Sequence, residues 1–98
     1  MACELIWSPA ARDDLRDIVR FIARDNQRRA ESFGYELMTR TDILHDHPEA
    51  GRIVPEYRNP RIREIIYRPY RIVYRLDIER HLVEIARVWH AARGAPSV

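Results

Sequence analysis

The apolar residues of this chain change their period near its middle, and that change restricts the fold more than any other feature. Over residues 9–47 they recur at helical spacing, as in Ala11, Leu15, Ile18, Val19 and Ile22. From residue 61 onward they alternate every second position or crowd into β-branched runs, as in RIREIIY (61–67), YRIVYRL (70–76) and LVEIARVW (82–89). A chain patterned this way places its helices first and most of its strands last.

The boundaries of the helical half are marked. CELIW (3–7) reads as a short strand, and Ser8-Pro9 behind it is a helix start: Ser caps free N–H groups, and Pro is tolerated in the first turn. Asp13, Asp14 and Asp17 are expected early in this helix, on the favourable side of its dipole. The helix should fade at Asp25-Asn26. A second helix is expected over residues 27–47, with Ala30, Phe33, Leu37, Met38, Ile43 and Leu44 on its buried side and Pro48 ending it. PEAGR (48–52) reads as a turn.

The turns among the last three strands, RP (68–69) and DIERH (77–81), are short enough to require antiparallel hairpins. The expected fold class is therefore α+β, in the order β-α-α-β-β-β, with an antiparallel sheet packed against an N-terminal helical hairpin in one domain spanning residues 1–98. Pairing Tyr67 with Tyr70 and Leu76 with Val83 puts Ile65, Ile72, Tyr74, Val83, Ile85 and Trp89 on one face, toward the helices. The other face then carries Glu64, Arg71, Arg75, Glu84 and His90, with Arg75 opposite Glu84. Arg63 and Arg87 fall on the apolar face, where they would need carboxylates from the helices.

Charge adds one further constraint. All 17 basic residues are Arg, so every fixed cation is a planar fork suited to carboxylate or phosphate. Residues 52–75 hold seven Arg against two Glu, and the positive surface is expected there, although a net charge of +2 does not by itself mark a nucleic-acid binder. Four Tyr-Arg pairs (57–58, 67–68, 70–71 and 74–75) invite a base-stacking reading. Successive strand residues point to opposite faces, however, so the tyrosines are expected to pack and only Arg71 and Arg75 to face outward. His45 and His47, two apart on a helix, diverge and do not form a metal site. Cys3 is the lone cysteine, no apolar run is long enough for a membrane span, and the N-terminus lacks a signal-peptide pattern; the expected location is cytoplasmic, with no membrane partner.

Several stretches taken in order carry a resemblance. WSPAARDDLRDIVRFIA (7–23), the Gly-Arg turn in GRIVPE (51–56), IREI (62–65), YRIVY (70–74) and the closing VWHAAR (88–93) resemble the RelE/ParE superfamily of bacterial type II toxins over nearly the whole chain. The resemblance implies the β-α-α-β-β-β fold, no cofactor and no metal. It also implies a cognate antitoxin as partner, with operator DNA bound only through that antitoxin. One branch, ParE-like, poisons DNA gyrase without established nuclease activity. The other, RelE-like, cleaves mRNA on the ribosome by metal-free attack of the 2′-hydroxyl, which needs a base, an acid and phosphate-holding cations. Arg71 matches the phosphate-holding position of the nuclease branch, and His90 falls where some nucleases carry an acid/base residue. Arg71, Arg75 and Arg93 are the candidates for contact with a target or a phosphate. The ending AARGAPSV (91–98) lacks the aromatic residue usual in the nuclease branch, which favours a ParE-like gyrase inhibitor.

Overall fold

The computed structural model describes residues 2–98. Strand β1 (Glu4–Trp7) leads into helices α1 (Pro9–Ala23) and α2 (Gln27–Asp42) and a 3-10 turn at Ile43–His45. Strands β2 (Arg52–Ile53), β3 (Ile62–Tyr67), β4 (Tyr70–Asp77) and β5 (Leu82–His90) follow, and a second 3-10 turn covers Ala91–Arg93. The α+β order expected from the changing period is the one found. The second helix stops at Asp42 and tightens into the 3-10 turn, short of the expected position 47.

The sheet runs β1-β5-β4-β3-β2. Its last four strands pair antiparallel, with Tyr67 opposite Tyr70, Leu76 opposite Val83 and Arg75 opposite Glu84 as the alternation required. β1 joins β5 in parallel, which makes the sheet mixed. Only the short connections require antiparallel hairpins; between β1 and β5 lie both helices and three strands, so either direction is open to this pair. β2 is two residues long, too short to leave an alternation in the sequence.

Local chemistry fixes the element ends. The Ser8 hydroxyl accepts from Ala11 N (3.0 Å) and donates to Ala86 O (2.9 Å), so one side chain both caps α1 and ties it to β5. Asn26 caps α2 by accepting from Arg29 N. Asp13, Asp14 and Asp17, expected early in α1, all fall beyond its first turn, which carries no acid. Asp14 instead reaches β5 where β1 has ended, accepting from Val88 N (3.0 Å) and from both Nε and Nη2 of Arg87 (2.7 and 2.9 Å). A helix carboxylate thus stands in for the missing neighbour strand. Arg87 receives the helix carboxylate it was expected to need, but Arg63 does not. Its guanidinium donates to the carbonyls of Pro60, Glu49 and Gly51.

The main core lies between the helices and one face of the sheet, around Ala11, Phe33, Leu37, Leu44, Ile72, Tyr74, Val83, Ile85 and Val88. Tyr74 is fully buried there; its hydroxyl donates to Pro48 O (2.8 Å) and accepts from Gly51 N (3.0 Å). The Gly-Arg turn has its reason in this contact. A Cβ on Gly51 would stand 2.6 Å from Glu64 O and 2.7 Å from the Tyr74 hydroxyl. Met38 and Ile43, expected on the buried side of the second helix, are 42% and 49% exposed, while Thr41 is buried in their stead and bonded to Met38 O.

The largest departure is a bulge in β5. Tyr74 pairs with Ile85 but Val73 pairs with Arg87, so Ala86 is an extra residue and everything after it changes face. Val88, opposite Ile72, takes the core position expected of Trp89. Trp89 moves opposite Arg71, and His90 moves opposite Tyr70.

Candidate functional site

On the sheet face away from the helices, Arg71 of β4 is held among groups from three other segments. Its Nε donates to Glu64 Oε1 (2.5 Å) and its Nη2 to Glu64 Oε2 (3.2 Å). Glu56, from the loop between β2 and β3, accepts end-on from Nη1 (3.0 Å) and Nη2 (2.7 Å), and the second hydrogen of Nη1 goes to Gly94 O (2.8 Å). Every N–H a guanidinium possesses is therefore engaged. Glu64 is itself fully buried and also accepts from Arg52 Nε (2.7 Å).

Arg71 and Glu56 stabilise each other's charged states. Hydrogen bonding from Arg71, helped by a backbone N–H, holds the Glu56 carboxyl down at about 2. The same bonds, to Glu56 first and Glu64 second, raise Arg71 further above its ordinary range. Arg71 is buried on this face and does not stand in the open as an unengaged cation.

The last residues of the chain cross over this cluster. Gly94 accepts from Arg71, the Tyr57 hydroxyl donates to Pro96 O, and the Pro96 side chain is fully buried. Gly94 makes the turn at φ 78°, a left-handed conformation that glycine adopts without strain. Beneath it, the Trp89 ring is flanked by two guanidinium groups, Arg87 at 4.7 Å and Arg93 at 3.9 Å from its centroid. The Trp89 indole N–H is buried and has no hydrogen-bond partner among the described residues.

None of the other sequence candidates bonds to Arg71. His90 faces the helices: its ring meets Tyr70 edge-on at 5.5 Å, and Tyr70 meets Phe33 of α2 in the same way. His90 Nδ1 accepts from Ala92 N and so caps the last 3-10 turn. The alternation without a bulge put His90 on the Arg71 face; the extra residue at Ala86 turns it to the opposite one. Arg75 does face away from the helices, where Glu84 accepts from its Nε (3.0 Å) and Nη2 (2.7 Å). Arg93 is the guanidinium nearest Trp89. Tyr67 and Tyr70 pack against Phe33, and Tyr67 donates to Glu36, so these Tyr-Arg pairs are split across the sheet as strand geometry demands.

Glu56 and Gly94 were not singled out in the sequence. The one available sign was the Glu in GRIVPE, one of only two acids among residues 52–75. Nothing local tells that its partner is Arg71.

Among the described residues no helix is long and apolar enough to cross a membrane. A family model described as ParE toxin of type II toxin-antitoxin system, parDE, matches residues 5–94. A Caulobacter vibrioides protein named Toxin RelE2 is 30% identical over 90 residues, covering 92% of this chain and 97% of its own. A solved structure titled Chromosomal ParDE TA system from P. aeruginosa superposes with a TM-score of 0.73 over 91% of this chain and 96% of that one; at 18% identity it speaks for the fold. The family match spans the chain from β1 to Gly94, and with it the helical hairpin, the sheet and the Arg71 cluster. The chain belongs to the ParE toxin family, and is the toxin component of a type II toxin-antitoxin system with a cognate antitoxin as its partner.

Proposed function

We propose that this toxin arrests growth by binding DNA gyrase, and that it does so without cutting nucleic acid. The observation that carries the reading is the separation of Arg71 and His90 by the sheet. Cleavage by a 2′-hydroxyl needs the phosphate-holding cation and the acid or base around one phosphodiester. Here one candidate sits among Glu56, Glu64 and Gly94 O, and the other packs on Tyr70 on the helix side. A backbone phosphate approaching Arg71 would also meet two carboxylates already bonded to it. The test is a supercoiling assay with purified gyrase and relaxed plasmid. Loss of supercoiling at stoichiometric toxin is expected, and unchanged supercoiling at large excess would sink the reading.

The mRNA endonuclease reading keeps one support, the name Toxin RelE2 on a relative 30% identical to this chain. Primer extension on translated mRNA after toxin induction separates the two. New 5′ ends within codons belong to the endonuclease, and their absence belongs to the gyrase inhibitor.

A further inference from the structure

We propose that the cleft beside Arg71 is a receptor for a carboxylate on an acidic segment of a partner protein, and that Glu56 fills it in the free toxin. The two carboxylates on Arg71 are not equivalent. Glu64 is completely buried, shared with Arg52, and fixes one edge of the guanidinium in place. Glu56 comes from a loop, leaves its side chain 45% exposed, and takes the outer end of the fork with one oxygen on each terminal nitrogen. That is the planar two-point contact by which Arg recognises a carboxylate from another molecule. Because Glu64 already holds the fork rigid, an incoming group does not have to order it.

The surroundings suit a peptide. The cleft is lined by Arg52, Arg68, Pro55, Ile66, Pro69 and Tyr70 around Glu56 and Arg71. An acidic side chain entering there would replace Glu56 on Arg71 and meet Arg68 at the rim, while its apolar neighbours meet Ile66, which is 38% exposed, and the two prolines. Released Glu56 would return to water, so the exchange conserves the number of ion pairs. A doubly charged phosphate fits less well, since its second charge would lie near Glu64 on the same guanidinium. The proposal stands whichever target the toxin poisons.

The experiment follows the Arg71 Nε–H resonance in isotope-labelled toxin during titration with a capped Leu-Glu-Leu-Glu tetrapeptide, and in parallel with inorganic phosphate. In Glu56→Ala the peptide should shift that resonance saturably and bind about tenfold tighter than in the native chain. Glu56→Gln, which keeps the size and removes the charge, should fall between, and adding Arg68→Ala should weaken binding again. Equal affinity in the native and Glu56→Ala chains, no saturable shift in either Glu56 variant, or phosphate binding as tightly as the peptide would each overturn the proposal.

Discussion

Glu64 shows how much one side chain can be required to do when it is buried with charge. It anchors Arg71 and Arg52 from a position with no exposure, and removing it would strand the Arg71 guanidinium with only Glu56 and one carbonyl. Glu64→Ala is expected to cost about 3–5 kcal/mol, as when one partner of a buried pair is lost, measured by urea unfolding. Glu56 gives a gentler and pH-dependent signature. Its folded value of about 2 lies below the ordinary 4.5, so its contribution is whole above pH 4.5 and disappears as pH falls toward 2. Thermal melting across that window should therefore fall more steeply for the native chain than for Glu56→Gln; parallel curves would show that the pair adds nothing. Solvent screening at this half-exposed carboxylate keeps the difference small.

At the scale of elements, the join between α1 and β5 is the informative one. Asp14 meets both a backbone N–H and the Arg87 guanidinium in a place where β5 has lost its strand neighbour. Asp14→Ala should cost about 2 kcal/mol by leaving Val88 N and Arg87 without their acceptor. Increased amide exchange at Val88, with the rest of β5 unchanged, would locate the damage. The same join marks where the sequence stopped being legible. Alternation alone gave the pairs Tyr67–Tyr70, Leu76–Val83 and Arg75–Glu84, because those stretches have one apolar and one charged face. It could not give the bulge at Ala86, since a small residue there is at home on either face, and the parity of Trp89 and His90 depended on it. Met38 and Ile43 escaped for a related reason: an apolar stripe tells which residues prefer burial, not how far the partner surface extends. The Arg71 cluster was only half visible. Arg71 and Glu64 were identified as neighbours on one face, but Glu56 and Gly94 arrive from segments whose approach no local pattern records.

For the whole molecule, the two sides of the sheet divide the work. The helix side holds the main core, and the other side holds a charged cluster under the C-terminal residues, with Val54, Val73, Ala86 and Pro96 buried outside that core. His90 belongs to the first side and Arg71 to the second, so the gyrase and nuclease readings predict different mutant behaviour. Expression of His90→Ala without antitoxin should still arrest growth if the toxin acts by binding. Full loss of arrest in a variant that melts like the native chain would favour acid/base chemistry at His90.

The parallel pairing of β1 with β5 has a temporal meaning as well. Glu4–Trp7 are made before both helices, and their partners Leu82–Ile85 only after β4. While a ribosome is still extending the chain, β1 has no strand to join, and α1 lacks the Val88 and Arg87 groups that Asp14 holds. The native sheet can therefore assemble only after β5 has emerged. Nascent chains arrested before Leu82 clears the ribosome should be digested readily by added protease, and released chains should resist it. A cell translating this message would carry a toxin that stays unassembled until β5 emerges, which leaves the making of four earlier strands and two helices as time in which a waiting antitoxin can be first to meet it.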